Sequence, residues 1–439
     1  MLRLCTIILL ALASPALADT LTGPAAFGDW KADAPGVTRH IRAEDVPAPA
    51  ADTSASNPAK LVPMPEGATL KLPEGFTASL VASGFSPRVI RFAPNGDLFV
   101  ADSKDNQIRM YHFGDGLDKA PTASIYAKGL NRPYGIAFYP PGPEPAFVYV
   151  ANADGVVRFS YKSGDVAATA APKQIISGIP ASGHWTRDIA FSPDGKLLYV
   201  SVGSSGNVAS DMPATPEDGL ESWIKNQPLG AAWGAEAGRA NVLAFSPDGQ
   251  NRQIWATGLR NCAGITIQPA NADLWCVVNE RDGLGDNLPF EYATHVPQGA
   301  YFGWPWYYTG DHQDTRPDSE RPDLKGKVSI GDVLIQAHSA PLNIAFYEGS
   351  AFPAEYKGDA FVTLHGSWNR ATRTGYKIVR LLFRDGKPTG EYQDFITGFV
   401  KSDKEVWGRP VGIAVAPDGS LFFSEDGSGN IWRVTYQGG

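Results

Sequence analysis

The sequence predicts an all-β protein, a six-bladed β-propeller, and two observations carry that expectation. A unit of strand, tight turn and strand recurs six times, with anchors Phe92, Phe138, Phe191, Ile267, Phe346 and Val415 lying 46 to 79 residues apart. No amphipathic helix of any length falls between the units. Radial repetition of strand-rich units is the mark of a propeller rather than a sandwich or an α/β fold.

The clearest copies run from Pro87 to Val100, from His184 to Val200 and from Arg409 to Phe423. Each turns at Pro followed by Asn95-Gly96, Asp194-Gly195 or Asp418-Gly419, where proline presets φ and the Asx-Gly pair tolerates positive φ. Looser copies span Arg132 to Val150, Arg260 to Val278 and Leu342 to Leu364. Phe245-Ser-Pro-Asp-Gly resembles a seventh, but it lies only 22 residues before Ile267 and is read as an outer strand. The uneven spacing places insertions in loops on one face, where binding usually occurs.

Residues 70–439 are assigned to the propeller, since one such domain can use the whole stretch. Ahead of them, Arg3, an apolar run from Cys5 to Ala13 and Ala16-Leu17-Ala18 form an export signal over residues 1–18. The run is too short for a stable membrane anchor, which implies a periplasmic or secreted protein. Residues 19–69 are rich in Ala, Pro, Asp and Ser and are expected to form a poorly ordered leader. Gly 47 and Pro 35 suit a turn-rich β protein, and most of the 11 Trp and 16 Tyr are expected between blades.

Cleavage leaves Cys262 and Cys276, in neighbouring strands of one unit. An oxidising compartment favours a disulfide, whereas a hairpin turning at Ala270 to Asp273 would not set them directly opposite, so bridge and free thiols both stay open. No Cys-x-x-Cys-His is present, hence no covalently attached haem. Removal of Arg3 leaves 37 basic and 46 acidic residues, a net charge of −9 that argues against nucleic acid as a partner.

Against that acidic background the cations are placed in a pattern. Arg88, Arg132, His184, Arg187, Arg260 and Arg409 each stand four to seven residues ahead of an anchor, where a propeller chain reaches the axial channel. Like charges at one channel mouth imply a small, highly anionic ligand. The plainer reading pairs these arginines with carboxylates such as Asp102, Asp188 and Glu425, which accounts for single cases better than for the repetition. His184, beside Arg187 and Asp188, is the candidate general base, its pKa lowered by nearby cations; a purely structural histidine is the alternative. His365 follows the second strand of the fifth unit, the one without a leading cation. His295, His312 and His338 take no role from sequence. Between Glu280 and Glu291 lies the densest oxygen cluster, open equally to a hard divalent ion and to a solvated acidic loop.

Five ordered motifs sharpen the reading: Gly258-Leu-Arg-Asn-Cys-Ala-Gly264, Asn279-Glu-Arg-Asp-Gly-Leu-Gly-Asp286, Gly299-Ala-Tyr-Phe-Gly-Trp-Pro305, Leu364-His-Gly-Ser-Trp-Asn-Arg370 and Trp407-Gly-Arg-Pro-Val-Gly412. Together they resemble the pyrroloquinoline quinone (PQQ)-dependent glucose/sorbosone dehydrogenase family, closest to its L-sorbosone and pyranose dehydrogenase branch, over about residues 70–437. The resemblance implies a six-bladed propeller and a quinoprotein oxidoreductase with PQQ and Ca²⁺ at the channel mouth. His184 would be the base that takes the sugar hydroxyl proton while hydride passes to the quinone. Arg260, as a catalytic residue, would polarise the quinone and with Asn261 contact its oxygens. Backbone carbonyls of Asp282 and Gly283 would hold the metal, and Arg409 a cofactor carboxylate. Arg88, Arg132, Arg187 and His365 complete the expected cofactor site, His365 standing where soluble glucose dehydrogenases have a lysine.

Leu130-Asn131-Arg132 and Gly183 also depart from that pattern and put glucose in doubt, so a keto-aldose or pyranose is the implied substrate. A separate cytochrome or quinone would accept the electrons. Two rivals are a Ca²⁺-dependent lactonase-like hydrolase, which needs acidic and amide side chains around the axis, and a non-catalytic binding propeller, which has no use for His184.

Overall fold

The computed structural model describes residues 20–114 and 116–438; the export signal at residues 1–18 lies outside them. Six four-stranded units surround a central channel. The first blade comprises Pro87–Phe92, Leu98–Asp102, Gln107–His112 and Thr122–Lys128. The second runs from Ile136–Tyr139 through Phe147–Asn152 and Gly155–Ser160 to Lys173–Ser177. In the third, Ile189–Phe191 and Leu198–Val202 are followed by a long connection, then by Asn241–Phe245 and Gln253–Thr257. The fourth contains Asn261–Ile267, Leu274–Asn279, Glu291–His295 and Val333–Ile335.

Pro341–Phe346, Ala360–Leu364, Lys377–Arg384 and Lys387–Ile396 make the fifth blade, and Pro410–Val415, Leu421–Glu425 and Asn430–Tyr436 the sixth. Its outermost strand is Phe76–Ala82, from the other end of the chain, which pairs antiparallel with Asn430–Tyr436. That pairing closes the ring and removes a free edge. Phe245 thus ends a third strand, with Gln253–Thr257 outside it. The only α-helix among the described residues, Leu220–Asn226, sits in the third-blade connection.

Hairpins form where the Asx-Gly turns predict them: Gly96, Gly195 and Gly419 have φ of 90°, 68° and 82°. Blades pack through apolar sides, as at Phe99 and Phe138, whose rings meet edge-on at 5.2 Å. The channel itself is plugged by polar groups. Asp188, fully buried, accepts from Arg91 Nη2 at 3.0 Å, Ile265 N at 3.0 Å and Asn343 Nδ2 at 3.2 Å. Four blades are tied together at that one carboxylate.

The leader departs from expectation. Residues 20–69 are not a loose tail but a strap laid over the propeller. Thr38–His40 pairs with Lys387–Ile396 and Leu21–Thr22 pairs with Thr38–His40, widening the fifth blade to six strands. Lys60–Leu61 runs parallel to Glu405–Val406. Arg39, fully buried, bonds Asp394 at 2.8 Å and Asp33 at 2.9 Å, while Lys377 Nζ lies 2.6 Å from Asp33 and 2.7 Å from Asp394. A composition rich in Ala, Pro, Asp and Ser predicted disorder; two balanced ion pairs and strand pairing supply the order instead.

Cys262 and Cys276 are bridged, with Cα atoms 5.8 Å apart. They are not opposite in register, as expected, but a β-bulge between Cys262 and Gly264 brings the two chains into bridging distance.

Candidate active site

All inner strands start at the same end of the channel, and second strands end there, so residues at those two positions converge. A cavity of about 330 Å³ opens at this end, lined by His184, Asn207, Arg260, Asn279, Glu280, Asp282, Glu291, His338 and Trp368, among others. Its size falls within the range of small-molecule sites.

His184 precedes the third-blade inner strand. Its Nδ1 lies 2.9 Å from Ser204 Oγ, which itself donates to the Gly206 carbonyl at 2.8 Å. A carbonyl only accepts, so the hydroxyl proton points at Gly206 and Nδ1 carries the imidazole proton. Nε2 is left as the free basic nitrogen. Burial, then the Arg260 guanidinium, push the His184 pKa down from 6.5 to about 3, so the ring is neutral across the physiological range. Gly203 permits the packing: a Cβ there would come within 2.5 Å of His184 Cβ and 2.6 Å of Asn261 Oδ1.

Arg260 is buried and bonds only neutral oxygens: Asn207 O at 3.1 Å, Asn207 Oδ1 at 2.7 Å and Asn279 O at 3.2 Å. Asn261 donates to Asn279 Oδ1 at 3.3 Å, and its own Oδ1 is buried without a partner. An unpaired buried cation and an orphaned amide oxygen beside it suit a polar ligand with anionic groups.

The other cations go elsewhere. Asp426 Oδ2 accepts from Arg88 Nη1 at 2.6 Å, and its Oδ1 lies 2.9 Å from His365 Nε2 and 3.0 Å from Arg409 Nε. Three expected cofactor residues therefore share one carboxylate, held well below the usual range by His365 and both arginines. Two arginines against one Asp leave a surplus positive charge, and Arg409 keeps about a third of its side chain exposed. Asp102, Asp188 and Glu425, the carboxylates the sequence offered, instead take Arg109, Arg91 and backbone N–H groups.

Arg132 and Arg187 do not line the cavity. Arg187 donates to the carbonyls of His184 at 2.8 Å, of Thr186 at 2.7 Å and of Pro180; Arg132 donates to Ala181 O at 3.0 Å. Arg239 donates to Ser182 O at 3.0 Å and Ser182 Oγ at 2.8 Å. Three guanidinium groups thus clamp residues 180–184, the loop carrying His184. Burial, then Arg239 and Arg132, lower the Arg187 pKa to about 9. These arginines position the loop; the expectation that Arg132 and Arg187 meet a ligand is not supported, because neither lines the cavity and the carbonyls of residues 180–186 take both terminal nitrogens of Arg187 and Nη2 of Arg132.

Calcium fares similarly. The Asp282 carbonyl accepts from Arg316 Nη1 at 2.6 Å, Asp282 Oδ1 lies 2.9 Å from His338 Nδ1, and the Gly285 carbonyl lies 2.9 Å from His338 Nε2. The Leu284 carbonyl accepts from Ala50 N at 2.8 Å, Asn287 Oδ1 from Arg370 at 3.0 Å, and both Asp286 oxygens lie within 3.2 Å of Ala371 N. No three His, Cys, Asp or Glu side chains among the described residues are grouped to hold a metal. Of the two carbonyls expected to hold calcium, that of Asp282 accepts from Arg316, and that of Gly283 takes no hydrogen bond among the described residues.

Asp426, Ser204 and His338 went unassigned at the sequence level. Asp426 and Ser204 stand just past second strands, as Glu280 and His365 do, so the repeat register was the signal that could have found them. Asn207 and Arg316 lie on irregular connections, where no such register exists.

The solved structure of a Trichoderma reesei carbohydrate-active enzyme of family AA12 superposes with a TM-score of 0.69 at 20% identity, over 87% of this chain and all of that one. The PQQ domain of Coprinopsis cinerea pyranose dehydrogenase gives 0.65 at 22%, over 85% and 98%. Both agreements are of fold. In sequence, an uncharacterised Borreliella burgdorferi protein is 29% identical over 381 residues, 84% of this chain and 91% of that one. The PQQ-dependent pyranose dehydrogenase of Coprinopsis cinerea is 23% identical over 84% of this chain, which spans only 55% of that protein. The TrAA12-like family model matches residues 70–297 and 309–437, taking in the ring from Phe76 to Tyr436, and the chain belongs to that family.

Proposed function

We propose that this protein is a PQQ-dependent sugar dehydrogenase, exported to the periplasm or beyond, that oxidises a pyranose or keto-aldose and passes electrons to a separate cytochrome or quinone. The observation that carries the reading is the pairing of His184, neutral with Nε2 free, and Arg260, a buried cation without a carboxylate, in one cavity. When bound, PQQ supplies a two-electron acceptor for hydride from the substrate carbon.

His184 Nε2 accepts the proton of the substrate hydroxyl as the C–H hydride departs, leaving a carbonyl product; Ser204 Oγ, on Nδ1, steadies the imidazolium that forms. Arg260 would hold oxygens of the cofactor and offset negative charge there, and Asn261 would reach them through its Nδ2, since its open Oδ1 can only accept. Carboxylates of a bound cofactor beside Arg260 would offset the charge that depresses His184. Trp368, about half exposed at the rim, offers a flat apolar face for the C–H groups of a sugar ring. Arg409, with Arg88 behind it, provides a second positive region at the same channel end.

Acidic and amide side chains in the cavity are what the lactonase-like alternative required, and Asn207, Asn279, Glu280, Asp282 and Glu291 are present. Several of their oxygens are committed, Glu280 Oε2 to Arg281 at 3.0 Å, Asp282 Oδ1 to His338 and Glu291 Oε2 to Glu280 N at 2.7 Å, while Glu280 Oε1 is buried without a partner. The Glu291 carboxyl is pushed well above the usual range by burial, which favours a neutral acid over a metal ligand.

Dye reduction by purified protein across aldoses, L-sorbosone and 2-keto-aldoses, with and without PQQ, tests the reading. Activity confined to the quinone-loaded protein and to a subset of these sugars is expected. Hydrolysis of a lactone panel by quinone-free protein would replace the dehydrogenase with its rival.

A further inference from the structure

We propose that Glu236 is the counter-charge of His184, a positioning residue that acts on the imidazole through the Ser204–Ser205 peptide group rather than by touching it. The inference rests on the dehydrogenase reading for what His184 does, but the contact exists whatever the reaction is.

Glu236 ends a short turn, Gly234–Glu236, in the long third-blade connection. Its side chain is buried, and among the described residues no cation pairs with it. Three neutral donors satisfy the carboxylate instead: Ser205 N at 3.0 Å and Ser205 Oγ at 2.5 Å, both on Oε1, and Trp304 Nε1 at 3.2 Å on Oε2. A buried carboxylate held only by neutral donors keeps its charge available to the groups beyond them.

Ser205 N belongs to the same peptide group as the Ser204 carbonyl, and that carbonyl faces His184. It accepts from His184 N at 3.1 Å and lies 3.2 Å from Nδ1, whose proton it shares with Ser204 Oγ at 2.9 Å. Amide resonance joins the two ends of a peptide group, so a carboxylate on the N–H makes the carbonyl more negative and a stronger acceptor. No carboxylate bonds the His184 ring directly among the described residues. When Nε2 takes a proton, the imidazolium forms where burial and Arg260 already oppose positive charge. Glu236 offsets part of that opposition from the far end of a rigid, planar group.

Gly183, which departs from the family pattern, fits this arrangement. It has φ of +65°, and a Cβ there would lie 2.8 Å from the Ser204 carbonyl oxygen and closer still to that of Ser205. A side chain at 183 would push the Ser204–Ser205 peptide away from the imidazole. Arg239, three residues past Glu236, donates its N–H to the Glu236 carbonyl at 3.1 Å and its guanidinium to Ser182. One turn therefore fixes both the loop that carries His184 and the peptide group behind it.

The test is ¹H and ¹⁵N NMR of the His184 imidazole in quinone-free protein at neutral pH, read beside turnover of the loaded enzyme. Glu236→Gln keeps the size of the side chain and removes its charge. The Nδ1 proton is expected to move upfield as the Ser204 carbonyl weakens as an acceptor, and kcat to fall by about tenfold or more with KM and retained quinone unchanged. Ser205→Ala removes only the hydroxyl that shares Oε1, leaves that oxygen to the N–H alone, and is expected to move the same proton downfield. Opposite shifts mark transmitted charge, because simple loosening of the loop moves both variants the same way. Any other pattern overturns the proposal. If Glu236→Gln does not fold, Ser205→Ala decides: a downfield shift upholds the proposal, and an upfield shift or none overturns it. A parent protein that binds no quinone or oxidises no sugar ends the dehydrogenase reading, and the NMR shifts then decide the role of Glu236 by themselves.

Discussion

Burial and the Arg260 guanidinium hold His184 at a pKa of about 3, well below the ordinary 6.5, and two consequences follow for that residue. In the quinone-free protein, the His184 imidazole should show no NMR titration near pH 6.5; a clear break there would contradict the assigned environment. For stability, the unfolded chain binds a proton that the folded chain refuses between about pH 3 and 6.5. This contribution is fully present above 6.5 and is lost as pH falls through that window. Replacing His184 by Ala should cut turnover by about 10²- to 10⁴-fold while leaving quinone binding intact. Loss of both together would show a structural histidine. Trp368→Ala should raise KM by about tenfold with kcat less affected, as expected for a stacking contact made equally in ground and transition states.

The loop of residues 180–184 is the element on which turnover depends, because its carbonyls are gripped by Arg132, Arg187 and Arg239. Arg239→Ala should lower kcat by about tenfold or more through misplacement of His184, with retained quinone unchanged. A fall in quinone retention without a kcat effect would contradict the positioning role of Arg239. Their direction was not legible in the sequence. The positions were: Arg132, His184, Arg187, Arg260 and Arg409 all precede inner strands because turn chemistry repeats once per blade, and that repeat is written in Pro, Asx and Gly. Whether a guanidinium then meets a ligand, a carbonyl or a carboxylate depends on acceptors from distant segments. Backbone carbonyls leave no sequence mark, and Asp426, the carboxylate that gathers Arg88, His365 and Arg409, sits 61 residues beyond His365.

At the scale of the whole molecule, two features outside the repeat hold the ring together. Residues 20–69 carry Arg39 into a buried pairing with Asp33 and Asp394. Arg39→Ala would leave Asp394 facing Lys377 alone and Asp33 in excess, and should cost about 3–5 kcal/mol in chemical denaturation. An unchanged midpoint would mean the strap is dispensable. The strap escaped sequence reading because its order comes from contacts with the fifth blade, not from its own composition. The Cys262–Cys276 bridge closes a short loop of separation 14; its removal by Ser substitution should cost about 3 kcal/mol. Ring, strap and bridge together keep one channel end open and polar. The most direct measurement of what that end does is to mix purified protein with PQQ, remove the free cofactor by gel filtration, and follow the bound quinone's absorbance as sugar is added without oxygen. Retention of about one quinone per chain, bleached by a pyranose or keto-aldose in the parent and unbleached in His184→Ala, is the expected result. A protein that leaves the column without quinone would contradict the account.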